Sequence, residues 1–429
     1  MVRGIIGLTA HDYILWEEKN KHGEKPIDVA SDASIASDLR LISAKPKIFN
    51  NFNQKFNLEC INEQIANKDK DPNKKVLLCM DGGGIKALLE LTMLIEIENL
   101  LGENLMKRVH WMGGTSCGGI ISVGLAAGIR LRDLRSIFLA YRKKIFCGNT
   151  KMVPKHSSTG IETILKAVIG PRTIVMLTAA RIDAAPASLV LFRSYAPRCP
   201  VKEYERCGFL NPNKILAWKA ARCTSYVLMI FKNTRARNHR AAPVFFESFN
   251  GLADGVINPT LALMTDFYRL KKCENQRKWS DETLEEINND SIGGVISLGA
   301  GMEPLVPLSG IDIQIRSALT LGAELKDILS KTKNLMTLFM FQSTSSHNVY
   351  VGWAREWAHS ERIPFFRLSP KLTKAYEMDC SEPEGIFDFL FETQVYIQTQ
   401  VYKEMGDIAR LLKAMPAISP LPDYAQITR

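Results

Sequence analysis

Twice in quick succession this chain runs a short apolar segment into a glycine-rich turn and out into an apolar helical pattern. The first instance is Val76-Leu77-Leu78-Cys79-Met80, then Asp81-Gly82-Gly83-Gly84, then residues 87–101 with Gly102 as a stop. The second is Val109-His110-Trp111-Met112, then Gly113-Gly114-Thr115-Ser116-Cys117-Gly118-Gly119, then a helix over 120–127. An apolar run without polar alternation predicts a strand buried on both faces, as in a parallel sheet covered by helices. Further strands are predicted over 174–179, 189–193, 249–253 and 294–298, with helical patterns between several of them. Strand–helix alternation of this kind predicts an α/β layered fold with a largely parallel central sheet flanked by helices. Residues 387–415 read as one or two amphipathic helices.

The 429 residues suit one large domain with appendages, and a 46% hydrophobic share against 23% charged is that of an ordinary globular protein. The division expected is an N-terminal segment over 1–74, a main domain over 75–415 and a short tail over 416–429. Within the first, Gly23-Glu24-Lys25-Pro26-Ile27-Asp28-Val29-Ala30 resembles the turn and first helix of an ankyrin unit. A single such unit cannot bury its own face, and a loop entering a helix is the alternative. Residues 68–75, charged and Pro-containing, read as a linker. The nine cysteines, an odd and scattered set in no metal-finger spacing, and a stretch 1–16 without a signal-peptide pattern lead to the expectation of a reducing, intracellular compartment. A formal charge of +10 favours anionic partners, nucleic acid or an anionic membrane. No nucleic-acid-binding motif is recognisable and no apolar run is long enough to span a bilayer, so the expectation is a cytoplasmic protein that visits membranes peripherally.

Gly114-Thr115-Ser116-Cys117-Gly118 fits Gly-x-Ser-x-Gly. Its chemistry requires a sharp strand-to-helix turn, with small flanking residues that let the serine adopt a strained backbone and present Oγ. The pattern alone is weak, but an apolar strand before it and an apolar helix after it are what a nucleophile elbow needs. A serine hydroxyl also needs a base. The earlier Asp81-Gly82-Gly83-Gly84-Ile85-Lys86 lacks both the phosphate-loop lysine spacing and the third glycine of a dinucleotide fingerprint, since Ala87 stands there. Its free N–H groups fit an oxyanion hole better. Lys86 anchors this loop, attracts anionic head groups or is an ordinary solvated charge. In Leu252-Ala253-Asp254-Gly255, a carboxylate at a strand end before a glycine turn is a plausible base, although alone it reads as a turn aspartate.

Together these three elements resemble the patatin-like phospholipase family, whose order is Asp-Gly-Gly-Gly, Gly-x-Ser-x-Gly, then Asp-Gly-Gly/Ala. The calcium-independent (group VI) phospholipase A2 branch is the nearest in pattern. Leu191-Phe192-Arg193-Ser194-Tyr195, Ala220-Ala221-Arg222-Cys223-Thr224-Ser225, Ala241-Ala242-Pro243-Val244-Phe245-Phe246 and Ser297-Leu298-Gly299-Ala300-Gly301 are similar to its further segments. The resemblance implies a serine–aspartate dyad of Ser116 and Asp254 without histidine. It implies an oxyanion hole from Gly82, Gly83 and Gly84 with Cys117, no metal or cofactor, and a glycerophospholipid cut at its sn-2 ester. Asp81, Lys86, Gly114, Gly118 and Gly255 complete the motifs. Ankyrin repeats precede the catalytic domain in that branch, which raises the ankyrin reading and with it an oligomer formed through that region.

The pattern also breaks. Residues 226–240, apolar and then strongly basic, separate segments that the family runs together, and the turn Asp254-Gly255-Val256-Ile257-Asn258-Pro259 is shortened. These departures bear on activity more than on fold and predict a weakly active or inactive chain. Two rivals stand beside the dyad. One is a Ser-Asp-His esterase using His347 or His359, which follow Asp254 in the right order. The other is a catalytically impaired membrane- or partner-binding relative.

Overall fold

The computed structural model describes residues 2–8, 15–44, 51–67, 71–145, 175–181, 188–198, 201–225, 249–250, 258–276, 289–304 and 349–418. Seven strands form one sheet among them: β1 (Lys74–Met80), β2 (Trp111–Thr115), β3 (Met176–Arg181), β4 (Ser188–Arg193), β5 (Phe249–Asn250), β6 (Ser291–Leu298) and β7 (Phe365–Leu368). The order is β4-β3-β2-β1-β6-β7, with β5 paired to β3. Every pairing from β3 through β2, β1 and β6 to β7 is parallel, while β4 and β5 run antiparallel to β3. The fold is therefore the α/β layered arrangement that strand–helix alternation predicts.

β1 lies at the centre, and its sequence says why. Val76, Leu78 and Met80 enter one hydrophobic cluster, Leu77 and Cys79 the other, all of them fully buried. Period-two alternation thus divides a continuous apolar run between two cores. The first core is closed by the Ala87–Leu101, Cys117–Ala126, Leu131–Ile145, Pro383–Tyr396 and Tyr402–Ala414 helices. The second is closed by the Thr260–Gln276 and Val349–Ser360 helices. Among the described residues no helix is long and apolar enough to cross a membrane.

Element positions follow the sequence pattern closely, with instructive shifts. The Ala87–Leu101 helix ends on Gly102 in the left-handed region at φ 76°, where glycine carries no Cβ penalty. β2 begins two residues later than the apolar run suggests, because His110 is used differently. Its backbone N donates to Val76 O at 3.0 Å, and its Nδ1 accepts from Val76 N at 3.1 Å. The strand then continues through Gly113 and Gly114, which pair with Cys79 and Met80 on one side and Met176 and Leu177 on the other. The following helix starts at Cys117, ahead of the apolar stretch, because its glycines pack inward. In the C-terminal region the two helices are joined by a π-helical turn, Ile397–Val401.

Residues 26–29 form turns, and helix begins only at Ala33, capped by Asp32, whose side chain accepts from Ser34 N and Ile35 N. The N-terminal helices pack on the main body. In the Val2–Leu8 helix, a Cβ on Gly7 would lie 2.7 Å from Leu390 Cβ, so glycine sets that close approach. Arg3 pairs with both Asp38 and Asp388. In the Phe52–Ala66 helix, the Asn57 amide donates to Phe365 O at 2.7 Å and accepts from Phe365 N at 3.0 Å. One side chain thereby satisfies backbone groups on the outer edge of β7.

Candidate active site

The site lies where β1 and β2 end, at the carboxyl edge of parallel strands where open α/β sheets place their chemistry. Ser116 stands between β2 and the Cys117–Ala126 helix with φ 52° and ψ −121°. A non-glycine residue in such a conformation costs about 1–3 kcal/mol and persists only where its surroundings hold it. The surroundings are visible. Ser116 N donates to Thr224 Oγ1 at 2.8 Å, and Thr224 Oγ1 donates to Thr178 O at 2.6 Å. Ile120 N donates to Ser116 O at 3.1 Å and starts the helix. Ser116 is 8% exposed, so its hydroxyl is nearly enclosed.

The flanking glycines are required by contact. A Cβ on Gly114 would fall 2.4 Å from Gly118 O, and one on Gly118 would fall 2.4 Å from Met80 O. Both clashes are with backbone, which cannot swing away. The glycine loop meets the elbow directly: Gly118 N donates to Asp81 O at 3.1 Å, and a Cβ on Gly82 would lie 3.2 Å from Ser116 Cβ. Gly84 has φ 62°, and a Cβ there would lie 2.1 Å from Met378 O. Ile85 N already donates to Met378 O at 2.8 Å.

Cys117 is buried, with its sulfur beneath the loop, 3.7 Å from Asp81 O. Burial pushes its thiol pKa up, Glu90 adds to this, and the N–H groups of Gly83, Gly118 and Gly84 oppose it. The Gly83 and Gly84 N–H groups thus lie around the start of the Cys117–Ala126 helix.

Lys86 is buried, and its Nζ lies 2.5 Å from Glu303 Oε1, a carboxylate that also accepts from Tyr376 N at 3.3 Å. It anchors the loop to the chain after β6 and is not a solvated charge. Asp81 is fully buried. Its Oδ2 accepts from Arg367 Nη2 at 2.5 Å, and its Oδ1 accepts from Arg367 Nη1 at 3.2 Å and Asn258 Nδ2 at 2.7 Å. Ser297 Oγ accepts from Arg367 Nη1 at 2.8 Å and shares a 2.8 Å hydrogen bond with Thr260 Oγ1. Asp81 N donates to Glu90 Oε1 at 2.8 Å. Burial first, and the Asp81 charge second, push the Glu90 carboxyl well above the usual range.

Asp254 and Gly255 lie outside the described residues, as do His347 and the stretch 226–240. Asn258, four positions beyond Asp254, is the first described residue after that turn and is 3% exposed. His359 is near the end of the helix that precedes β7, so it sits at the edge where the strands begin, opposite Ser116. Its ring packs on Phe56 at 4.4 Å between centroids.

Arg367, Asn258, Glu90, Glu303 and Thr224 are the residues to which the sequence motifs assign no part. Of these, Arg367 leaves a faint signal, being the single charge in the apolar strand β7.

Residues 78–264 match the Patatin-like phospholipase family. An intracellular phospholipase A2 of Caenorhabditis elegans is 28% identical over 331 residues, which is 75% of this chain and 28% of that protein. The 85/88 kDa calcium-independent phospholipase A2 of Rattus norvegicus is 28% identical over 365 residues, covering 81% of this chain and 41% of that protein. Its Mus musculus counterpart is 28% identical over 366 residues, with the same coverage of 81% and 41%. The chain thus spans less than half the length of these relatives.

Proposed function

From the premise that this chain carries a patatin-like phospholipase domain, we propose that it is a calcium-independent lipid acyl hydrolase of the phospholipase A2 type. The observation that carries this reading is Ser116, in a strained turn at φ 52° with a glycine loop against its side chain. Strain of this kind has no packing purpose of its own, and it presents a hydroxyl at the N-terminus of a helix, where developing negative charge is favoured.

In the reaction, Asp254 takes the Ser116 proton while Oγ forms a bond to the ester carbonyl carbon. The carbonyl π electrons move to oxygen, and N–H groups of Gly82, Gly83, Gly84 and Cys117 receive that charge. Loss of one such donor typically costs about 10²–10³-fold in rate. Collapse of the tetrahedral intermediate breaks the ester C–O bond, and the lysophospholipid alkoxide leaves with the proton from Asp254. Water, deprotonated by the same carboxylate, then hydrolyses the acyl-enzyme and returns the proton to Ser116. The substrate proposed is a glycerophospholipid at its sn-2 ester, met at a membrane surface from the cytoplasmic side.

The test is release of fatty acid from phosphatidylcholine vesicles in excess chelator, for the wild type beside Ser116→Ala. The expected result is chelator-resistant hydrolysis by the wild type and none by the variant. Equal rates from both would overturn the assignment of Ser116. Loss of activity in chelator, restored by calcium, would overturn calcium independence.

A further inference from the structure

The Asp81 carboxylate is an unusual place to put a charge. It is fully buried at the first position of the glycine loop, and its partners come from other parts of the fold. Arg367 reaches it from β7, Asn258 from the residues ahead of the Thr260–Gln276 helix, and both partners also touch Ser297 of β6, at 2.8 and 3.4 Å. Asn258 is further fixed by its own Oδ1, which accepts from Thr260 N at 3.1 Å. The backbone of Asp81 meanwhile holds the elbow through Gly118 N, and is itself held through Leu298 O at 3.1 Å and Glu90. A buried ion pair of this sort is a poor source of net stability, because desolvation offsets its attraction. What it does supply is one fixed relation between groups that the sequence keeps far apart.

We propose that Asn258 and Arg367 are positioning residues for the hydrolysis. Through the Asp81 carboxylate they hold the glycine loop, and the chain from Asn258 into the Thr260–Gln276 helix, in one register against Ser116. The inference rests on the acyl-hydrolase reading above. It distinguishes these residues from structural ones by what their loss does: the substrate is still bound, and the reacting groups are misaligned. A displacement of about 1 Å can cost roughly 10²-fold in rate.

The experiment compares the wild-type 429-residue chain with Asn258→Ala, Arg367→Gln, Arg367→Lys and Ser116→Ala. Each is assayed for kcat and KM on phosphatidylcholine vesicles, for the rate of covalent labelling by a fluorophosphonate, and for its melting temperature. Asn258→Ala removes one small polar group and is the variant that decides the matter if Arg367→Gln does not fold. The expected result is a fall in kcat of about 10²-fold with KM within about twofold, a parallel fall in labelling rate, and partial rescue in Arg367→Lys. Folded Asn258→Ala protein with wild-type kcat and labelling would overturn the proposal while leaving the hydrolase reading in place. A change confined to KM, or a loss of activity that follows melting temperature alone, would overturn it equally. A wild type that neither hydrolyses vesicles nor takes the label would sink the hydrolase reading, and the positioning role with it.

Discussion

Acid should weaken this fold through His110, and the geometry gives the amount. The ring's Nδ1 accepts from Val76 N in β1, so the folded protein needs the neutral imidazole there. Burial, helped by the Lys75 charge, depresses its pKa to about 4 from an ordinary 6.5, against the raising effects of Asp290 and the Arg108 and Pro416 carbonyls. The unfolded chain therefore takes up the proton first as pH falls. Stability is complete above the unfolded value and is lost between pH 6.5 and about 4. A full shift at about 1.4 kcal/mol per pKa unit is roughly 3 kcal/mol, of which about 2 kcal/mol is lost by pH 5. The ring is only partly buried, so solvent screening reduces the figure to about 1–2 kcal/mol. His110→Asn keeps an acceptor near the Nδ1 position and removes the titration. Urea unfolding of both proteins from pH 7.5 to 5 should show the wild type losing that much more than the variant. Parallel curves would refute the reasoning, because every other titrating group is common to both.

Glu90 has the opposite sign. Its folded pKa is raised, so its contribution is lost as pH climbs above the ordinary carboxyl range, at up to about 1.4 kcal/mol per pH unit. Glu90→Gln should gain on the wild type between pH 5 and 8 in the same urea assay, and a constant difference would count against the buried neutral acid. Gly406 lies inside the Tyr402–Ala414 helix, where an added Cβ would meet nothing within 4 Å, so Gly406→Ala should raise stability by about 0.5–1 kcal/mol in that assay. Gly118→Ala, whose methyl would meet backbone oxygen at 2.4 Å, should instead abolish accumulation of folded protein, and a normal melting curve for it would show that the elbow can yield. Flotation should show binding to anionic vesicles that added salt weakens, given the charge of +10, and salt-independent binding to neutral and anionic vesicles alike would rule out electrostatic attraction.

The sheet is legible in the sequence because its inner strands are buried on both faces. Val76 to Met80 are recognisable without a partner, since five apolar residues are the length of a covered strand and too few for a buried helix, and a glycine turn follows them. The elbow is legible for a related reason. Gly114 and Gly118 answer to contacts made within a few residues or with the adjoining strand end, so their spacing is local information. β2 is less legible because glycine has no strand propensity, and its place is set by pairing on both sides. The helix at Ala33 is obscured for another reason: Asp32 fixes its start, whereas Pro26 suggests an earlier one.

Arg367 and Asn258 carry no comparable signal. Arg367 and Asp81 are 286 positions apart, and a charge in a four-residue strand looks the same whether it faces water or a buried carboxylate. Their pairing also gives the shortened turn after Asp254 a physical meaning. The shortened turn after Asp254 ends on Asn258-Pro259. Asn258 is the member tied to Asp81, and Pro259 O accepts from Leu263 N at 2.8 Å to begin the next helix. The downstream end of the turn is therefore fixed to the glycine loop, and the shortening falls on the residues between Asp254 and that anchor. On the proposed mechanism, the shortening acts on the Asp254 carboxylate relative to Ser116, while the glycine loop keeps its anchor in Asn258. Inserting residues between Gly255 and Asn258 should then raise kcat and leave KM unchanged. An insertion that raises neither would show that the shortened turn does not limit the rate.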